Sequence, residues 1–124
     1  MITGFEGETA DLTEYELLEI VPQVADILRS RRGKKNAIPS ERVIGMLDGP
    51  CSGARLRKII NHIRVKGIIK CLVASSKGYY VSDDFGELDA YCGSLWGREQ
   101  AIAQVRRALC AQMEELETVG YTLF

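Results

Sequence analysis

The sequence predicts a mainly helical protein carrying one small β-hairpin and a long C-terminal helix. Three observations support this. Apolar residues recur at three- and four-residue steps in successive segments between Thr13 and Lys66. A β-branched run, a polar turn cluster and a second short apolar run follow Gly67. The proline-free stretch from about 84 to 117 then returns to helical spacing. Three regions are expected: a mobile acidic arm over 1–12, a domain over 13–83, and a long helix over 84–124.

Each element has its own signature. Thr13 with Glu16 three residues on forms a capping box, and Leu17, Leu18, Val21, Val24, Ala25 and Leu28 follow near helical spacing. Pro22 lies deep enough inside this segment to kink or split the helix, which should end near Arg31 or Arg32, before Gly33. The second helix opens at Pro39-Ser40, with Ser40 as a cap or Pro39 in its first turn. Val43, Ile44 and Leu47 give it one apolar face, and Asp48-Gly49-Pro50 stops it. Ser52 can cap a third helix from Gly53 to about Lys66, with Leu56, Ile59, Ile60 and Ile63 as its core stripe and Gly67 closing it. Residues 68–74 read as a first strand, Ser75-Ser76-Lys77-Gly78 as a turn and Tyr79-Tyr80-Val81 as a second strand. Asp83 or Asp84 can cap the final helix.

Charge is distributed unevenly along this nearly neutral chain, whose net charge is −1. Residues 1–28 hold seven acids and no Lys or Arg; residues 29–77 hold thirteen bases against two acids; residues 78–124 hold three bases against eight acids. A basic middle set between acidic ends is the footprint of a polyanion-binding face. The competing expectation is that the acidic ends fold back over it.

If the apolar stripe of the third helix faces inward, its outer face carries Ala54, Arg55, Lys58, Asn61, His62 and Val65, with Arg57 and Arg64 on the flanks. There is no acid on that face, whereas solvated surface helices usually mix both signs. A helix fits the DNA major groove, where Arg and Lys donate to guanine and Asn pairs with adenine. The backbone amides of Ser52, Gly53 and Ala54 stand where a phosphate could bind at a helix N-terminus. Ser76 and Lys77, at the hairpin tip, allow close backbone approach to phosphates, though a plain turn would use the same residues. Arg31, Arg32, Lys34 and Lys35 are candidates for flanking backbone contacts. His62, the lone histidine, is a candidate base contact, although a lone histidine on a helix is more often an incidental surface or edge residue.

The run Ser52-Gly53-Ala54-Arg55-Leu56-Arg57-Lys58-Ile59-Ile60-Asn61-His62-Ile63-Arg64, then Gly67, then Ser75-Ser76-Lys77-Gly78-Tyr79-Tyr80, resembles the winged helix-turn-helix superfamily, closest in pattern to small winged-helix proteins encoded by phages and prophages. The resemblance spans about 37–83. It implies a recognition helix starting at Ser52, a wing at Ser75–Tyr80, and duplex DNA binding in the regulation of transcription or replication in mobile elements. Winged helices also serve as protein-docking adaptors without DNA binding, which is the alternative.

Written as heptads, the last helix places Leu88, Tyr91, Leu95, Arg98, Ile102, Val105, Leu109, Gln112 and Leu116 along one seam. Arg98 and Gln112 make it imperfect. A homodimer through Leu88, Leu95, Ile102, Val105 and Leu109 is expected, with packing against the first helix as the alternative.

Other classes are disfavoured. No apolar run approaches the roughly 18 residues of a membrane helix, and the acidic first residues lack a secretory pattern, so a cytoplasmic protein is expected; the winged-helix resemblance implies a bacterial or phage-encoded one. Cys51, Cys71, Cys92 and Cys110 form no C-x-x-C pair and stand with a single histidine, so they read as packed thiols rather than metal ligands or disulfides. No phosphate-loop, nucleophile-elbow or zinc-protease motif is present. No enzyme activity, cofactor or small-molecule substrate is expected.

Overall fold

A computed structural model describes residues 10–123, with side chains through 118. The chain forms two compact units, Met1–Leu88 and Asp89–Phe124. Of the arm expected over 1–12, only Ala10, Asp11 and Leu12 fall within the described residues.

The capping box forms as expected. Thr13 N–H donates to Glu16 Oε1 at 2.9 Å, and Glu16 N–H donates to Thr13 Oγ1 at 3.1 Å. A π-helical turn, Glu16–Ile20, leads directly into α1, Val21–Arg29. Pro22 therefore does not split the helix. It has no N–H to donate, and the ladder before it widens instead, with Val21 N–H donating to the Glu16 carbonyl five residues back. The Gln23 side chain takes up part of the slack: its Nε2 donates to the Glu19 carbonyl at 2.9 Å, and its Oε1 accepts from Asp48 N–H at 2.8 Å.

The widened turn changes which side chains face inward. Leu17 and Leu18, expected on the apolar stripe, are exposed and Ile20 is buried instead, while Val21, Val24, Ala25 and Leu28 are buried as expected. One extra residue in a turn rotates everything before it by about 100° relative to an uninterrupted α-helix.

After α1 a short 3-10 turn, Lys34–Asn36, precedes α2, Ser40–Gly45, and then α3, Gly53–Lys66. Pro39 itself is the residue that caps α2, with no side-chain bond, so neither expected capping role for Ser40 or Pro39 is met. Ser52 does cap α3, its Oγ accepting from Arg55 N–H at 3.1 Å. Gly67 closes α3 in a left-handed conformation at φ 69°, and Ile68 N–H donates back to the Ile63 carbonyl at 3.0 Å.

The hairpin pairs β1, Leu72–Ser75, with β2, Gly78–Val81, antiparallel in the register Leu72 to Val81 and Ser75 to Gly78. The first strand is shorter than expected, because residues 68–71 form a turn in which Cys71 takes a positive φ of 62°. A further contact extends the sheet: Ile38 exchanges both backbone hydrogen bonds with Tyr79, at 3.0 and 2.9 Å. On the same strand, Val81 N–H donates to the Arg31 carbonyl at 2.7 Å, and the Val81 carbonyl accepts from Gly33 N–H at 2.9 Å.

The core of this unit joins Val24 and Leu28 of α1, Val43 of α2, the stripe Leu56, Ile59, Ile60 and Ile63 of α3, and Leu72 and Val81 of the hairpin, closed by Ile20 and Ile38. Burying each such side chain contributes about 2 kcal/mol. The expected α3 stripe is buried in full.

The last helix, α4, spans Phe85–Leu123 without interruption at Gly93 or Gly97. Asp84 caps it, with Oδ1 accepting from Glu87 N–H at 3.2 Å, and the Tyr80 hydroxyl donates to the Glu87 carboxylate. Along it, Leu95, Ile102, Val105, Leu109, Met113 and Leu116 are exposed. No described helix is long and apolar enough to cross a membrane. All four cysteines are free thiols, but Cys71, Cys92 and Cys110 are exposed rather than packed. Only Cys51 is half-buried, where burial first and the nearby Glu16 carboxylate second push its thiol pKa up.

Candidate nucleic-acid interface

With its apolar stripe inward, α3 turns Arg57, Asn61, Val65 and Lys66 fully outward and leaves Ala54, Lys58 and His62 half-buried. No acid lies between Gly53 and Lys66. Chain-local acids nevertheless reach this face from the segment that enters α1.

Arg55 is the clearest case. Its Nε donates to Glu16 Oε2 at 2.9 Å and a terminal nitrogen donates to the other carboxylate oxygen, a two-pronged pairing. The remaining donors reach the carbonyls of Ala10 at 2.7 Å and Asp11 at 3.2 Å. Both side chains are largely buried, at 14% and 13% relative exposure. The hydrogen bonds from Arg55, first, and the Thr13 N–H bond hold the Glu16 carboxyl at a pKa of about 2, against the opposing effect of burial. Glu16 opens the π-helical turn and is held there by the Thr13 capping box. Arg55, expected as a base reader, thus fastens the chain entry to the N-terminal end of α3.

The other expected contacts divide into two groups. Ser52 spends its hydroxyl on the cap. Arg64 Nε donates to the Leu72 carbonyl at 3.1 Å and ties α3 to β1. Lys58 Nζ lies 4.0 Å from Asp11 Oδ1, with the Asp11 side chain itself fully exposed. By contrast Arg57 and Asn61 stand open to solvent, as do Ser76 and Lys77 at the hairpin tip and Arg32, Lys34 and Lys35 after α1; Arg31 is half-buried. The turn at the hairpin tip is closed by the Ser75 hydroxyl, whose Oγ accepts from Lys77 N–H at 3.2 Å and donates to the Gly78 carbonyl at 3.2 Å.

A shallow groove runs along α3, lined by Lys58, Asn61, His62, Val65 and Lys66 on one side and by Asp11, Leu12 and Leu17 on the other. Lys66 joins the expected residues of this groove: its spacing of four from His62 and eight from Lys58 is the signal that places it beside them. The contribution of Asp11, Leu12 and Leu17 had no signal in the sequence, since it depends on the path of the chain into α1. Among the described residues no cluster of potential metal ligands occurs.

No protein-family model, no curated protein and no solved structure matches this chain.

Proposed function

We propose that the chain is a winged helix-turn-helix protein that binds double-stranded DNA, with α3 as the reading helix and the β1–β2 hairpin as the wing. The observation that carries this reading is the outer face of α3. Arg57, Asn61 and Lys66 are exposed on a helix that contains no acidic residue. The element order supports it: α1, a single extended residue pair at Ile38, α2, a short turn, α3 and a hairpin whose second strand pairs back to Ile38. In this reading Arg57 and Asn61 face the bases, Lys66 and Lys77 meet phosphates, and Arg32, Lys34 and Lys35 hold the flanking backbone. Arg55 and Arg64 act by fixing the helix. Two copies joined through α4 would form the binding species, and regulation of transcription or replication is the corresponding role.

Fluorescence anisotropy with mixed-sequence duplex at two salt concentrations tests it. Affinity should fall steeply as salt rises, and the variant Arg57→Glu/Lys66→Glu should lose about tenfold or more. Salt-independent affinity would remove the phosphate-contact model. Arg55 is unsuited to this experiment, because reversing it breaks the Glu16 pairing.

One observation favours the adaptor reading instead. Asp11 stands beside Lys58, and Leu12, Leu17 and Val65 give the α3 groove apolar walls suited to a peptide. Duplex affinity unchanged in Arg57→Glu/Lys66→Glu, together with loss of a protein partner, would select it.

A further inference from the structure

The exposed seam of α4 carries its own information about orientation. We infer that a second copy of this chain packs on α4 antiparallel, in the register that sets Ile102 against Val105 of the second copy and Arg98 against Leu109 of the second copy. This rests on the proposal that α4 self-associates and specifies how.

The seam residues Leu95, Ile102, Val105, Leu109 and Leu116 are 41–72% exposed. They follow a seven-residue repeat in which Leu95, Ile102, Leu109 and Leu116 hold one position, while Arg98, Val105 and Gln112 hold the other. A parallel, in-register pair would stack each residue on its own copy. Arg98 would then meet Arg98, two like charges inside the seam, and Gln112 would meet Gln112. An antiparallel pair instead matches one position with the other. Centred between Ile102 and Val105, it places Arg98 on Leu109 and Gln112 on Leu95, each polar residue beside an aliphatic one. From there the guanidinium can extend its stem over the leucine and keep its charge in water.

The flanks of the seam agree with the same register. On one side, Glu99 of each copy falls opposite Arg106 of the other, so the two-fold axis produces two reciprocal ion pairs. On the opposite side, Ala101 falls opposite Ala108, which lets the backbones approach. The parallel arrangement gives Glu99 only Ser94 and gives Arg106 only Ala101, with no charge complement. Neither Glu99 nor Arg106 has an ionic partner three or four residues away on its own helix. Their charges therefore serve no intrahelical pairing.

The test is sedimentation equilibrium of the full chain and three variants. Glu99→Arg and Arg106→Glu should each raise the dimer dissociation constant about tenfold or more, since each converts two attractive pairs into two repulsive ones. The double variant, Glu99→Arg with Arg106→Glu, should restore the parent value. Failure of the double variant to restore would overturn the antiparallel register while leaving the dimer intact. A parent chain that is monomeric across the whole concentration range would instead refute self-association. Oxidation of Met113→Cys provides a second readout, because position 113 faces Cys92 of the second copy in this register. A disulfide peptide joining those two positions is expected, and one joining position 113 to its own counterpart would refute the orientation.

Discussion

Arg55 and Glu16 show how one pairing can decide the use of a whole helix face. Four hydrogen bonds from one guanidinium join α3 to the chain entering α1, across separations of thirty-nine to forty-five residues. Glu16→Gln leaves a largely buried guanidinium short of its counter-charge and should cost about 2 kcal/mol in a denaturant titration. The sign of the pH effect follows from the direction of the shift. The folded-state pKa of Glu16, about 2, lies below its ordinary value of 4.5. Its stabilisation is complete above about pH 4.5 and is lost as pH falls through about 2. Thermal unfolding followed from pH 5 to pH 2 should show a decline that is shallower in Glu16→Gln than in the parent. The capping box was legible from Thr13 and Glu16 alone, because it is local. The role of Arg55 was not, since a basic residue on a helix looks the same in sequence whether it points to DNA or to a carboxylate thirty-nine positions away.

At the scale of the elements, three positions account for most of what differs from expectation: Gly78, Pro22 and Cys71. Gly78 adopts φ 121°, and a Cβ built there would lie 2.2 Å from the Ile38 carbonyl oxygen. The extended pair between Ile38 and Tyr79 therefore exists only because position 78 has no side chain. Gly78→Ala should cost at least about 2 kcal/mol, through both strain and collision with backbone, and backbone amide exchange at Ile38 and Tyr79 should speed up before exchange in α3 does. The third helix was readable in full from its cap, stripe and terminal glycine, because all three signals agree. In the first, Val21, Val24, Ala25 and Leu28 are buried as their spacing predicts, and only Leu17 and Leu18, before Pro22, fall out of phase. Periodicity assumes 3.6 residues per turn throughout, and the wide turn before Pro22 violates that assumption. The β-branched run after Gly67 looked like one strand from 68 to 74, but left-handed Cys71 turns the chain first, and nothing in the side chains announces a positive φ at a cysteine.

For the whole molecule, the uneven charge distribution and the long final helix were both visible in the sequence. What could not be read was that the acidic entry segment lies against α3 rather than away from it, because composition carries no path. The proposed DNA face is accordingly narrower than the basic middle suggested, with Asn61 outward and Arg57 and Lys66 on the two opposite flanks of α3.

The exposure of α4 has a consequence for the content of secondary structure itself. From Cys92 to Gly97 and from Gln104 to Thr118 every side chain of this helix is exposed within its own chain. An isolated helix in water is held only by its own backbone bonds and marginal propensity, and Gly93 and Gly97 each weaken it by about 1 kcal/mol. Its helicity then becomes a property of mass action, like an affinity. Far-ultraviolet circular dichroism at 222 nm, normalised per residue, should fall on dilution below the dimer dissociation constant. Amide exchange in residues 98–112 should accelerate over the same concentration range, while exchange in α3 stays constant.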